Sequence, residues 1–190
     1  MESLTHDKDT VREFLNNWKF AFMQFVSAKN DMYKHDMLYK KRYLSVKGES
    51  GKRLIKWECN SKKSFENTID NQMKGALGLL VTQINSIFEK NWGEQRLQDS
   101  DPARRTIRCI IYQIRNAFAH NPFKPFWQVG KGFRHPFEIP AIGLKLDFKA
   151  LDGKELTNKE LPMLKLYDLV EYCHLRIPFN APLAGIDNLS

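Results

Sequence analysis

The stretch DPARRTIRCIIYQIRNAFAHNP, residues 101–122, carries the signals for both of its own ends. Asp101 can accept from the orphan amides of a first turn, Pro102 suits the first helical position, and Asn121-Pro122 supplies a stop, so one bounded helix is predicted. Ile107, Ile111, Ile114 and Phe118 recur at helical spacing and define a core face. Arg104, Arg108 and Arg115 fall near a second face, so the helix is expected to be half buried and half cationic. Near its C-terminal end Arg115 is followed by Asn116 and, five positions on, by His120. That spacing is about 140° of rotation, which lets both side chains edge one cleft without blocking each other.

The hexapeptide RNAFAH, residues 115–120, resembles the Arg-x4-6-His motif of the HEPN superfamily (higher eukaryotes and prokaryotes nucleotide-binding), including that family's preference for Asn, Asp or His directly after the Arg. Active HEPN members are metal-independent ribonucleases, many of them toxins or defence effectors. The motif covers six residues, and the helical pattern around it roughly two thirds of the chain. The resemblance implies a mainly α fold, a HEPN-like helical bundle of four main helices. It implies Arg115, Asn116 and His120 as catalytic residues, RNA as substrate, and neither a metal nor a cofactor. It also implies a homodimer that brings two motifs into one cleft, and an antitoxin or other regulatory protein as a partner. Other HEPN proteins keep the fold as non-catalytic RNA-binding or partner-binding modules, and this is the alternative function.

RNA cleavage without a metal needs an acceptor for the 2′-hydroxyl proton, a donor for the leaving 5′-oxygen, and cations for the charge that builds on the phosphoryl oxygens. An imidazole such as that of His120 suits proton transfer near neutral pH. The forked guanidinium of Arg115 suits a phosphate oxygen, and Asn116 can hold either the imidazole or the phosphate. The competing assignment gives Arg115 a carboxylate partner and makes His120 a helix cap. No zinc spacing and no GxSxG elbow occurs, and Cys109 lies in an apolar run, so metal and Ser or Cys nucleophile chemistry have no local support.

At 190 residues and 42 % apolar content, a single domain over residues 1–190 with a full core is expected. The formal charge of +8 favours a polyanionic partner, although solubility alone would account for it as well. Three scattered cysteines, Cys59, Cys109 and Cys173, argue for a reduced compartment, and the polar N-terminus and short apolar runs for a cytoplasmic protein without membrane anchor.

Along the chain, Thr10 and Glu13 form a capping box, and Val11, Leu15, Trp18, Phe22 and Phe25 predict a first helix reaching about Tyr39. Residues 34–63 hold ten Lys or Arg against three acids, with Gly48 and Gly51 as breakers, and are read as a basic connector over residues 40–63. Tyr39, Tyr43 and Trp57 interleave with its cations, as suits either an RNA-tracking segment or a solvated link. On the first reading Lys40, Lys41, Arg42, Lys52 and Arg53, together with Arg108 of the motif helix, bind RNA. Ser64 opens a second helix running to about Lys90, in which Gly75 and Gly78 point to close approach of a neighbour or to a kink. Residues 91–100 are expected to form a loop. Alternation of Ile142, Leu144, Leu146 and Phe148 predicts a strand, with Phe137 and Ile139 as its partner, in a β-hairpin appendage over residues 126–154 between the third and last helices. The last helix is expected over residues 161–177, stopped by Pro178.

Overall fold

The computed structural model describes residues 2–30, 42–48, 51–57 and 61–176. The described chain is mainly helical: α1 (Glu2–Lys29), α2 (Lys62–Trp92), α3 (Pro102–His120), the single turn α4 (Phe148–Leu151) and α5 (Met163–Arg176). Two antiparallel strand pairs interrupt the helices, β1 (Arg42–Gly48) with β2 (Gly51–Trp57), and β3 (Pro136–Ile139) with β4 (Leu144–Asp147).

The helix ends follow local chemistry. Asp101 caps α3 as its sequence implies, its Oδ1 accepting from the amides of Ala103 at 2.9 Å and Arg104 at 3.1 Å. Ser61, rather than Ser64, caps α2: its Oγ accepts from the Ser64 amide at 3.1 Å, so the helix begins ahead of its expected start. Gly93 ends α2 at φ 73°, where its lack of a Cβ removes the penalty for a left-handed residue. Helix α1 starts well before Thr10 and is described only to Lys29, and residues 31–41 lie outside the described chain.

Helix α1 packs on α2, α2 on α3, and α5 on α1. Leu15 and Trp18 of α1, Leu80 and Ile84 of α2, Ile110, Ile111 and Ile114 of α3, and Leu169 and Cys173 of α5 meet in one buried cluster. Each large side chain taken from water contributes about 1.5–3 kcal/mol before the entropy of ordering it is subtracted. A Cβ on Gly78 would stand 3.2 Å from Phe118 Cδ1, so α2 and α3 approach too closely there for any other residue without movement. Close approach, not a kink, is the role of this glycine. The contacts run from Gly78–Phe118 at one end to Trp92–Arg104 at the other, which makes the two helices antiparallel.

Three sequence expectations are corrected. Within the basic connector, Arg42–Gly48 and Gly51–Trp57 pair as antiparallel strands that the sequence reading did not foresee, in register from Arg42↔Trp57 to Gly48↔Gly51. The strand expected over residues 142–148 is shorter: Asp147 accepts from the amides of Lys149 at 3.0 Å and Ala150 at 3.4 Å, and this cap turns Phe148–Leu151 into a helical turn. Third, the hairpin of β3 and β4 is no appendage. Phe137, Ile139, Leu144 and Leu146 point into the main core along with Trp127 and Phe148, whose rings lie 5.4 Å apart. The burial along β3 and β4 alternates as predicted, and its buried face meets the flank of α3.

Candidate functional site

Helix α3 is gripped on most of its circumference. Ile114 and Ala117 are fully buried and Phe118 nearly so, which fixes the azimuth of the polar residues between them. Arg115 and Asn116 are half-buried and joined side by side, Arg115 Nη1 donating to Asn116 Oδ1 at 3.1 Å. His120 stands exposed in the last turn, about 7.5 Å further along the axis. Asn121 accepts from the amides of Phe123 and Lys124, both at 3.0 Å, and so folds the chain away from the helix end and leaves the imidazole uncovered.

Apart from the Arg115–Asn116 contact, neither member of the motif is engaged by a partner among the described residues. No carboxylate lies within ion-pair distance of Arg115 there, and no described side chain or backbone group binds the His120 imidazole. Asn121, not His120, occupies the C-cap position. The site thus offers a guanidinium oriented by a neighbouring amide, and an imidazole on the same helix end open to solvent.

The opposite end of α3 is organised differently. Asp99, 2 % exposed at its side chain, accepts from Arg104 Nε at 2.8 Å, Arg104 Nη2 at 2.7 Å and Arg108 Nη1 at 2.6 Å. Arg108 also donates to the Gly93 carbonyl, so the buried guanidinium ties the end of α2 to the start of α3. Burial pushes the Asp99 carboxyl up, but the hydrogen bonds from Arg104, Arg108 and the Asp101 amide outweigh it and hold the carboxyl at about 2. Trp92, Gln95, Gln98 and Ser100 join these charges around a cleft of about 290 Å³. Arg108 is therefore corrected: it is an internal strut and not a cation offered to RNA. Its face was misassigned because its partner Asp99 precedes the helix, where no periodicity marks it. Asp99 and Trp92 were missed for the same reason.

Of the remaining expected RNA-binding residues, Arg42 lies on β1 and Lys52 and Arg53 on β2, with Lys52 opposite Lys47 and Arg53 opposite Val46 in register. Lys40 and Lys41 lie outside the described residues. The register sets Lys47 opposite Lys52 at one end of the strand pair and Arg42 opposite Trp57 at the other. Cys109 and Cys173 are free and buried, and burial raises the first thiol to about 11 and the second further. Cys59 lies outside the described residues.

The chain matches no family model, and neither a curated protein nor a solved structure resembles it significantly. Among the described residues no helix is long and apolar enough to cross a membrane.

Proposed function

We propose that this chain is a metal-independent endoribonuclease of toxin or defence type, with a HEPN-like bundle as its scaffold and Arg115, Asn116 and His120 as its reacting groups. One observation carries the reading. On an otherwise packed helix, a half-buried Arg held by Asn116 and an exposed His lie five residues apart near one end, and no described residue besides Asn116 binds either side chain.

The reaction is a transesterification. The ribose 2′-oxygen attacks phosphorus, the bond from phosphorus to the 5′-oxygen breaks, and the products are a 2′,3′-cyclic phosphate and a 5′-hydroxyl. His120 accepts the 2′-hydroxyl proton or donates one to the 5′-oxygen. Arg115 places two N–H donors against the phosphoryl oxygens, where charge accumulates at the phosphorane. Asn116 holds the guanidinium through its Oδ1 and leaves its own N–H groups for the phosphate. In-line displacement needs proton transfer on both sides of phosphorus, and His120 of a second copy related by a two-fold axis supplies the other.

Such a pairing does not use Ile110, Phe118 or Tyr112 of α3. Ile110 and Phe118 are in the core, and Tyr112 is covered by Arg96, 3.6 Å from its ring centroid, and by Phe133 at 5.4 Å. Leu79, next to Gly78 on α2, is 62 % exposed and offers an apolar contact. Incubating purified protein with total RNA in EDTA tests the proposal: cleavage is expected, and its absence at every concentration at which the protein is dimeric overturns it.

A further inference from the structure

The segment that follows His120 presents two aromatic rings to solvent. Phe123 is 53 % exposed and Phe126 is 37 % exposed, in a protein that buries most of its large apolar side chains. Both are mounted on held backbone. The Asn121 side chain accepts from the Phe123 and Lys124 amides, the Phe123 carbonyl accepts from Lys74 Nζ at 3.4 Å, and Pro125 and Trp127, on either side of Phe126, are buried. Phe126 itself bridges to Glu155. Two exposed rings three residues apart on backbone held from both sides form a fixed apolar surface, the kind of feature that marks a contact site.

The chemistry around the rings selects the ligand. Lys124 Nζ lies 5.5 Å from the Phe126 ring centroid, and Lys74, which also pairs with Asp70 at 2.8 Å, reaches the backbone beneath Phe123. Exposed aromatic rings beside the Lys124 ammonium match bases beside a phosphate, and stacking requires a base that is not already stacked in a duplex. Phe123 is three residues from His120, a span of at most about 10 Å, or one to two nucleotides of extended strand. We infer that Phe123 and Phe126 form a stacking platform for the unpaired bases flanking the scissile phosphate, which makes single-stranded RNA the substrate class of this site. The inference rests on the reading of Arg115 and His120 as the cleavage motif and adds what holds the strand in it.

The test separates the two. Full-length His120→Ala protein is titrated with a short 5′-fluorescein-labelled single-stranded oligoribonucleotide, and with the same strand in a duplex, and anisotropy is read. The single strand is expected to bind more tightly. Phe123→Ala and Phe126→Ala, each added to His120→Ala, should each weaken it about fivefold to a hundredfold, the range of one lost stacked base. Phe123→Trp should retain binding, and Phe123→Leu should lose it, because Leu keeps the apolar area but not the planar face. Unchanged melting temperatures show that the variants remain folded. Single-strand binding that is insensitive to both ring deletions overturns the platform, even where protein with native His120 cleaves RNA. Ring-dependent binding with no cleavage by native His120 protein leaves the platform standing and removes the nuclease reading. Leu variants that bind like Phe, combined with Ala variants that lower the mass seen by light scattering, assign this face to a second copy of the chain and overturn the platform.

Discussion

Asp99 and Arg108 meet inside the protein, Oδ2 to Nη1 at 2.6 Å, with side chains 2 % and 3 % exposed. The pair joins the two ends that α2 and α3 present to each other, since Arg108 also donates to the carbonyl of Gly93. Removing one partner of a buried pair leaves the other charged in a poor solvent. Arg108→Ala is therefore expected to cost about 3–5 kcal/mol, toward the lower end because Arg104 still binds the carboxylate. Urea denaturation measures the loss. The folded fraction should bind RNA with unchanged salt dependence, which a phosphate-contacting Arg108 would not allow.

The same carboxylate sets a pH dependence. Asp99 is held at about 2, below its ordinary value near 3.8, so its contribution to stability is complete above that ordinary value and is lost as pH falls through about 2. The contribution is on the order of 2 kcal/mol. Thermal melts of wild type should fall steeply between pH 4 and 2, and Asp99→Asn, already less stable at pH 7, should show a shallower fall over that interval. Parallel curves would show that other carboxylates carry the acid sensitivity.

Local signals made α3 legible: Asp101 and Pro102 open it, Asn121-Pro122 closes it, and its isoleucines face the core as their spacing requires. The alternation of Leu144 and Leu146 was equally plain. What escaped depended on partners distant in sequence or on weak pattern. Arg108 looked like a surface cation because nothing local distinguishes it from Arg104 or Arg115. The β1–β2 hairpin was hidden because its strands carry Lys and Arg at positions where an alternating strand would show apolar residues, and its closing glycines read as breakers. Of the site, the residue types and their spacing were visible. That Asn116 engages Arg115, and that two exposed rings follow His120, required the fold.

Gly75 and Gly78 separate helix propensity from packing. A Cβ at residue 75 would make ordinary contact with Phe123 at 4.0 Å, so Gly75→Ala should stabilise by about 0.5–1 kcal/mol. At residue 78 the same change brings a methyl within 3.2 Å of buried Phe118, and overpacking of about 1–3 kcal/mol outweighs the propensity gain. Gly78→Ala should melt lower than wild type and Gly75→Ala higher. Because Phe118 lies between Arg115 and His120 on α3, Gly78→Ala should also slow cleavage. Two variants that melt alike would refute the close-approach role.

The basic segment supplies a test of charge. Should Lys40, Lys41 and Arg42 track an RNA backbone, replacing all three by Ala weakens binding to every sequence equally and lowers the salt slope by about 0.7 for each lost single-strand phosphate contact. Affinity measured across a salt series gives that slope directly. An unchanged slope identifies the segment as a solvated surface element.

The decisive pair is Arg115 and His120. With His120 transferring a proton and Arg115 stabilising the phosphorane, each change to Ala is expected to lower metal-free cleavage by about a hundredfold or more. Neither side chain carries the fold: His120 is exposed, and Arg115 meets only its neighbour Asn116 among the contacts described. Stability should therefore move by no more than about 0.5 kcal/mol. Arg115→Lys should rescue poorly, since an ammonium keeps the charge but loses both the fork and the planar contact to Asn116. Asn116→Asp should also lower activity, by pairing the guanidinium with a carboxylate that competes with phosphate. Products should end in 2′,3′-cyclic phosphate, and EDTA should leave the rate unchanged. Melting temperature and cleavage measured on the same His120→Ala preparation decide the matter: a folded protein that no longer cleaves supports the site, and one that unfolds while its folded fraction cleaves at the wild-type rate assigns His120 a structural role.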